Sequence, residues 1–239
     1  MKIAFLGTGL MGTELALHLV KEHDVVVWNR TSERTERVVA AGASVASSVA
    51  AAVAGRPVVV TSLFGPDTVR EVITSPDALG ADVLWIDSTT VSPEDADEFA
   101  AWAEARGVRY VHTPVVGTIG PARNGALGVY VGGTDAAARA EAEDIVRPWA
   151  DPVRLKQVDS AAKAAGAKLL ANLALAVSLQ GLAEALRLGK AEGFTAEEVL
   201  DLLEYTGLAF PAKMKRAQVL SGEFDDAHFT ADALTKDIR

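Results

Sequence analysis

Short apolar runs rich in β-branched residues alternate with amphipathic stretches through the first two thirds of the chain. The apolar runs predict strands at Lys2–Leu6, Asp24–Trp28, Pro57–Leu63, Val83–Asp87, Arg109–Val115, Leu127–Val131 and Val153–Val158. The stretches between them predict helices at Met11–Glu22, Glu33–Ala41, Asp67–Thr74, Glu94–Arg106 and Ala136–Trp149. Because strands that alternate with helices build βαβ units, the pattern predicts the α/β class, with a mostly parallel sheet covered on both faces.

Beyond these elements the pattern becomes helical. From Ser160 to about Gly189, alanine, leucine and periodic polar residues predict one helix of about 30 residues, which would be about 45 Å long. Either Gly189 or Gly193 is expected to end it, and Thr195 with Glu198 forms a capping box for the next helix. Later helices are predicted at Ala196–Tyr205, Ala212–Ser221 and from Phe229 to the end.

The chain therefore divides into two predicted domains. Residues 1–159 form the α/β domain, and residues 160–239 form an all-α domain that is entered by a long interdomain helix. The last residue, Arg239, lies inside a helical pattern that carries no end signal. We therefore expect the second domain to be truncated.

Composition narrows the class of protein. The chain has 239 residues, of which 49% are hydrophobic, so it can bury a core and is not disordered throughout. A net charge of −9 argues against a nucleic-acid partner, because phosphates would be repelled. The lack of cysteine excludes disulfides, thiolate catalysis and cysteine metal sites, and the four histidines have no metal-ligand spacing. We expect a soluble, cytoplasmic protein without a metal.

Two apolar segments resemble membrane signals. The N-terminal run after Lys2 is interrupted by glycines and by Glu14 and has no small-residue cleavage site, so no signal peptide is predicted. The segment Leu169–Ala183 carries no charge, but its 15 residues fall short of the roughly 20 that a membrane-spanning helix needs. We expect a buried helix there, and no membrane partner.

A glycine-rich segment follows the first predicted strand and opens the first helix. It consists of Gly7, Thr8, Gly9, Leu10, Met11 and Gly12, which matches the G-x-G-x-x-G pattern of dinucleotide-binding loops. There the first glycine permits a tight turn, the second lets a pyrophosphate approach the backbone, and the third allows close helix–strand packing. The helix N-terminus would add N–H donors for the phosphates. The sequence thus predicts a dinucleotide cofactor on a Rossmann-type doubly wound sheet.

The residues after the second predicted strand indicate which dinucleotide binds. Proteins that bind NAD carry an acidic residue there, which accepts a hydrogen bond from the ribose hydroxyl. This chain has Asn29, Arg30 and Thr31 instead. Arg30 can pair with a 2′-phosphate, and Asn29 and Thr31 can donate hydrogen bonds to it, so we predict NADP (NADPH). A solvated surface arginine is the alternative.

Six segments together resemble one family. They are Phe5–Gly12, Trp28–Thr31, Asp87–Pro93, Thr113–Gly125, Gly166–Asn172 and Lys236–Asp237. In this order they are similar to the β-hydroxyacid dehydrogenase family, which includes 3-hydroxyisobutyrate dehydrogenases and small semialdehyde reductases. The similarity extends over essentially the whole chain. It implies an NADP-dependent oxidoreductase that transfers a hydride between nicotinamide and a small β-hydroxy acid, semialdehyde or keto acid.

The resemblance also implies a catalytic pair. Lys168 would donate a proton to the alkoxide that forms on reduction, and its neutral amine would accept the proton in the reverse direction. Its pKa would have to be lowered by burial between the domains and by Lys236 nearby. Asn172 lies four residues later, on the same helix face, and would hold the substrate. Spacing alone fits a solvated stripe equally well.

The remaining site residues also follow from the resemblance. Those expected to border the cofactor are Leu63, Phe64, Thr90 and Lys236, and those expected to contact the substrate are Thr89, Val116, Gly117 and Thr118. Backbone N–H groups of Gly117 and Thr118 would bind a carboxylate. Val116 stands where the family commonly has serine, and Thr118 where it has glycine, so the identity of the substrate stays open.

Two other functions remain open at this point. Imine reductases share this architecture, but they generally carry another residue at the position of Lys168. A non-catalytic NADP-binding module is the second alternative, because the helical domain is short. The expected partners are a small carbonyl or hydroxy-acid substrate and further copies of the same chain, as a dimer or tetramer.

Overall fold

The computed structural model describes residues 1–224, which form two compact units. The first unit is Met1–Lys168, and the second begins at Leu169. The domain boundary expected at Asp159–Ser160 stays a prediction. The helix predicted from Phe229 to the end lies outside the described residues.

One sheet organises the first unit. Its strands in the described chain are β1 (Lys2–Leu6), β2 (Asp24–Trp28), β3 (Ser44–Val45), β4 (Val58–Thr61), β5 (Leu84–Asp87), β6 (Arg109–His112), β7 (Val115–Val116), β8 (Leu127–Gly132) and β9 (Ala150–Val158). Their order is β3-β2-β1-β4-β5-β6-β8-β7, with β9 paired to β8. The strands from β1 to β6 are parallel, whereas β8 is antiparallel to β6 and β7. Chain order reverses between β1 and β4, which creates a crevice at their carboxyl ends.

Helices cover both faces of this sheet. The helices of the first unit are α1 (Leu10–Leu19), α2 (Glu36–Ala40), α3 (Val49–Val53), α4 (Pro66–Val69), α5 (Pro93–Glu104), α6 (Ile119–Arg123), α7 (Ala136–Val146) and the start of α8 (Ala161–Ala191). Short 3-10 turns, Ser32–Thr35 and Arg147–Trp149, flank α2 and α7, and a π-helical turn, Arg70–Thr74, continues α4.

Side chains of β1 divide the core into two layers. Ile3 and Phe5 pack into one cluster with Leu15 of α1, whereas Ala4 and Leu6 pack into the other, on the opposite face of the sheet. All four strand residues are fully buried. Successive residues of a strand point to opposite faces, and a strand that is buried on both faces reads as a continuous apolar run. The doubly wound sheet expected from the sequence is therefore confirmed.

The second unit is helical, as expected. It contains the remainder of α8, then α9 (Ala196–Leu202), a 3-10 turn (Leu203–Tyr205) and α10 (Ala209–Ser221). Its small core is formed by Leu182, Leu200 and Ala212. The capping box of Thr195 and Glu198 is present at the start of α9.

The expected burial of the long helix is wrong for the described chain. By length and composition, α8 is the one helix within residues 1–224 that is long enough and apolar enough to cross a membrane. In its most apolar stretch, 11% of the residues are buried. The helix also continues through Gly189 to Ala191, and Gly193, whose φ is +86°, follows its end. An apolar pattern predicts a helix but does not identify what covers it.

The other differences concern short elements. The strand predicted at Arg109–Val115 is interrupted after His112, and the strand predicted from Val153 begins at Ala150. The elements β3, α3 and α6 are too short to be predicted from periodicity, since each has two to five residues. Periodicity needs more than one turn or a few alternations before it distinguishes helix from strand.

Candidate active site

The reversal of strand order brings Gly7 and Ser62 together. Gly7 has a φ of +102° and donates its N–H to the carbonyl of Trp28 at 2.9 Å, while Ser62 N–H bonds the carbonyl of Leu6 at 2.9 Å. A Cβ atom on Gly7 would lie 2.3 Å from the Ser62 carbonyl oxygen. Only glycine fits this turn.

The rest of the glycine segment fits a dinucleotide pyrophosphate. A Cβ on Gly12 would lie 2.0 Å from the carbonyl oxygen of Gly7, whereas a Cβ on Gly9 would meet nothing within 4 Å. Gly12 therefore serves helix–strand packing, and Gly9 leaves open space above the start of α1. The buried hydroxyl of Thr8 has no hydrogen-bond partner among residues 1–224. Together with the N–H groups of the first turn of α1, these features suit a phosphate ligand.

Asn29 joins this segment to the end of β2. Its Oδ1 accepts a hydrogen bond from Thr8 N–H at 3.0 Å, and its Nδ2 donates to the carbonyl of Thr31 at 2.8 Å. The amide therefore fixes the backbone around Arg30. Its expected contact with a 2′-phosphate stays a prediction.

Arg30 forms an ion pair that the sequence did not predict. Its Nη2 lies 2.5 Å from Oε2 of Glu71, in the π-helical turn, and the two side chains are 63% and 64% exposed. An exposed pair of this kind contributes little to stability. Both groups therefore remain accessible to a ligand at the end of β2.

Asp87, at the end of β5, is fully buried and fixes two turns. Its Oδ1 accepts hydrogen bonds from the hydroxyl of Thr61 at 2.7 Å and from Thr89 N–H at 3.0 Å. Thr89 Oγ1 in turn accepts from Leu63 N–H at 3.1 Å. Because a buried carboxylate requires compensating donors, this chain of contacts holds the turns after β4 and β5 against each other.

A tyrosine and a histidine surround the second oxygen of Asp87. Tyr110 donates its hydroxyl to Oδ2 at 3.2 Å, and His112 Nδ1 lies 3.6 Å from the same oxygen. Burial, followed by the negative charge of Asp87, raises the pKa of Tyr110 well above its usual range. The phenol therefore stays protonated and acts as a donor to the carboxylate.

The loop predicted to bind substrate lies beside the antiparallel end of the sheet. Val116 belongs to β7, and its carbonyl accepts a hydrogen bond from Arg154 of β9 at 3.4 Å. Gly117 and Thr118 are exposed, and α6 begins directly after them. Their accessibility suits the predicted role as backbone donors.

Helix α6 is attached to α1 by two polar contacts. Arg123 Nε donates to Oε1 of Glu14 at 3.1 Å, and His18 Nε2 donates to the carbonyl of Ala122 at 2.8 Å. Glu14 is 3% exposed and also binds Arg37 of α2. Burial acts to raise the pKa of Glu14, but hydrogen bonds from the two arginines lower it below its usual value. The carboxylate is thus held ionised between three helices.

The predicted catalytic pair lies on α8. Lys168 is half-buried, and Asn172, one turn later, is 4% exposed. Both take part in polar or electrostatic interactions. Because Asn172 is buried, the alternative that Lys168 and Asn172 form a solvated polar stripe on the helix does not fit.

The other predicted site residues differ in accessibility. Leu10 and Phe64 are largely exposed, Met11 and Thr90 are half-buried, and Thr89 is buried. Lys236 lies outside the described residues. The roles of all these residues stay predictions.

Sequence reasoning missed three polar residues of this region. Glu14 is the one acidic residue of the mostly apolar helix α1, and this signal could have indicated a buried charge in need of a cation. Asp87 begins one of the segments that resemble the family, but its hydrogen bonds reach Thr61 and Tyr110 on other strands, which the local sequence does not indicate. Glu71 gave no local signal, because its partner lies 41 residues earlier.

Comparison with known proteins identifies relatives over most of the chain. A family model described as the NAD binding domain of 6-phosphogluconate dehydrogenase matches residues 2–159. A probable 3-hydroxyisobutyrate dehydrogenase of Mycobacterium tuberculosis is 34% identical over 207 residues, covering 84% of this chain and 68% of that protein.

Two solved structures extend this similarity to the fold. Mycobacterium tuberculosis 3-hydroxyisobutyrate dehydrogenase with L-serine has a TM-score of 0.76 at 25% identity, covering 99% of this chain and 91% of that chain. A reductive aminase from Aspergillus terreus, in complex with NADPH and ethyl-5-oxohexanoate, has a TM-score of 0.73 at 29% identity, covering 96% of this chain and 79% of that chain.

Proposed function

This chain belongs to the β-hydroxyacid dehydrogenase family of oxidoreductases. We propose that it is an NADP-dependent enzyme that transfers a hydride between nicotinamide and a small β-hydroxy acid, semialdehyde or keto acid. The observation that carries the proposal is the burial of Asn172 one helical turn from Lys168 on α8. Burial holds this amide in place one turn from Lys168, and a fixed side chain of this kind suits the orientation of a substrate.

The nicotinamide cofactor supplies the hydride, and the chain supplies the proton and the orientation. The ammonium of Lys168 donates a proton to the carbonyl oxygen as negative charge develops there. In the oxidation direction the neutral amine accepts the hydroxyl proton. Asn172 holds the substrate oxygen, and the backbone N–H groups of Gly117 and Thr118 bind the carboxylate.

The choice of NADP rests on the residues after β2. Arg30 is exposed and offers a planar set of donors, which suits a 2′-phosphate. The amide of Asn29 binds the carbonyl of Thr31, after Arg30, and the N–H of Thr8 in the glycine segment. The half-buried Thr90 and the turn that begins at Leu63 would border the nicotinamide.

The direct test is NADPH oxidation with a panel of small semialdehydes and keto acids, for wild type and for Lys168→Ala. We expect turnover of at least one carbonyl, and a loss of about 10²- to 10⁴-fold in kcat in the variant, with NADPH binding retained. Lys163→Ala is the matched control, because Lys163 is an exposed lysine on the same helix that pairs with Asp159. Equal rates for Lys168→Ala and wild type would refute the proton-donor role.

Imine reduction is the second candidate. It is favoured by the similarity to a reductive aminase at 29% identity. Lys168 argues against it, because related imine reductases generally carry another residue at this position. Turnover of cyclic imines without turnover of any carbonyl would favour this candidate, and NADPH binding without either activity would indicate a non-catalytic module.

We also propose that the enzyme is a homo-oligomer, a dimer or tetramer. Large apolar side chains of α8 are exposed in the described chain, namely Leu170, Leu173, Val177 and Leu188. Such a surface is typical of a contact between subunits rather than of a free helix. The proposal includes a cytoplasmic location.

A further inference from the structure

The ion pair between Arg30 and Glu71 places a carboxylate at a position where the local sequence has none. Proteins that bind NAD place an acidic residue at the end of the second strand, where it accepts a hydrogen bond from the ribose 2′-hydroxyl. Here that stretch reads Asn29, Arg30 and Thr31. Glu71, on a different element, brings a carboxylate to the tip of the Arg30 side chain, with Oε2 2.5 Å from Nη2.

Glu71 is presented by a well-anchored segment. Its neighbours Val72 and Ile73 are 4% and 0% exposed and pack in the core layer that also holds Leu6 of β1. On the other side of Glu71, Arg70 pairs with acidic residues of α5, which attaches the π-helical turn to that helix. The main chain of Glu71 is therefore fixed, while its carboxylate is 64% exposed.

The partner of Glu71 is equally well placed. Arg30 follows β2, and the amide of Asn29 next to it binds the carbonyl of Thr31 and the N–H of Thr8. A cation and an anion of comparable exposure thus lie in contact, and each is carried by a separate element. A 2′-phosphate would bind the guanidinium and be repelled by the carboxylate, whereas a free 2′-hydroxyl could donate to the carboxylate.

We propose that Glu71 is a specificity-determining residue that opposes Arg30 and lets the site accept NAD as well as NADP. This inference rests on the proposed binding of the cofactor ribose beside Arg30. Glu71 weakens NADPH binding by charge repulsion and by competing for Arg30, and it strengthens NADH binding through the ribose hydroxyl. The preference for NADPH or NADH therefore depends on the relative strength of these opposing effects of Arg30 and Glu71.

Direct binding measurements without substrate test the proposal. Dissociation constants for NADPH and for NADH are measured by calorimetric titration on wild type, Glu71→Gln and Arg30→Ala. Glutamine keeps the size of the side chain, and the site is exposed, so the variant retains the fold. We expect Glu71→Gln to bind NADPH about threefold more tightly and NADH about threefold more weakly, since exposed charge pairs have small effects. Raising the salt concentration should reduce the gain for NADPH.

Glu33→Gln is the matched control, since it removes one exposed acidic charge from the 3-10 turn that follows Arg30. We expect it to leave the ratio of the two dissociation constants unchanged. Suppose that Arg30→Ala weakens the binding of NADPH but not of NADH, while Glu71→Gln changes the ratio of the two dissociation constants no more than Glu33→Gln does. The role of Glu71 is then refuted, and the proposed binding of NADP stands. If Arg30→Ala leaves both constants unchanged, the cofactor ribose does not lie beside this pair, and the NADP assignment fails with the proposal.

Discussion

Arg123 Nε donates a hydrogen bond to Oε1 of Glu14 at 3.1 Å, across 109 positions of the chain. Glu14 lies on α1, which begins within the glycine segment, and Arg123 ends α6, which follows the loop predicted to bind substrate. The buried carboxylate therefore connects the two predicted binding segments within the first unit. Its removal should affect both stability and the substrate loop.

The first prediction concerns Glu14 and pH. Because its folded pKa lies below its ordinary value near 4.5, Glu14 stabilises the fold above the unfolded pKa, and this contribution is lost as pH falls through the folded pKa. We expect Glu14→Gln to lower the free energy of unfolding at pH 7 by about 1–2 kcal/mol, since its arginine partners are half exposed. The difference should shrink toward pH 3 in urea denaturation. A difference that is constant with pH would contradict the charged role.

The second prediction separates two glycines of the same segment. Gly12→Ala places a Cβ 2.0 Å from the carbonyl oxygen of Gly7, so we expect a loss of several kcal/mol in stability or failure to fold. Gly9→Ala meets nothing within 4 Å, so the melting temperature should change little. The added methyl group would nevertheless occupy the space that a pyrophosphate needs, and NADPH binding should fall at least about tenfold. Unchanged NADPH affinity in Gly9→Ala would place the pyrophosphate elsewhere.

Much of this site could be predicted from the sequence because its signals are local. The glycine segment, the preceding strand and the following helix are contiguous, and each glycine has a steric reason that the structure bears out at Gly7 and Gly12. The contacts of Asp87, Glu14 and Glu71 could not be predicted, because they join elements 23 to 109 residues apart. The sheet order that brings these elements together is a property of the whole chain.

The third prediction concerns the turns after β4 and β5. Thr89 accepts a hydrogen bond from Leu63 N–H, so Thr89→Ala leaves that partly buried donor without its acceptor, which costs about 1 kcal/mol. The turn beside the predicted nicotinamide position should loosen, and the KM for NADPH should rise. Thr89→Ser keeps the hydroxyl, so it should restore the stability measured by thermal denaturation and the KM for NADPH measured by steady-state kinetics. A serine variant as impaired as the alanine variant would assign the effect to the methyl group.

The fourth prediction concerns the exposed face of α8. Leu170 and Leu173 are 69% and 50% exposed, and we expect a second copy of the chain to cover them. A stable interface buries roughly 1,200–2,000 Å² in total, and a charge placed within it is costly. Leu170→Glu combined with Leu173→Glu should therefore convert an oligomer into a monomer in light scattering coupled to size-exclusion chromatography.

Lys190→Glu provides the control for this measurement, because it places a carboxylate at an exposed position of the same helix that lies on a different face from Leu170 and Leu173. Its mass in solution should equal that of wild type. If the leucine double variant also keeps the wild-type mass, the apolar face is not the subunit contact. A wild-type protein that is monomeric and partitions with lipid vesicles, when the double variant does not, would show instead that the apolar face of α8 meets a membrane.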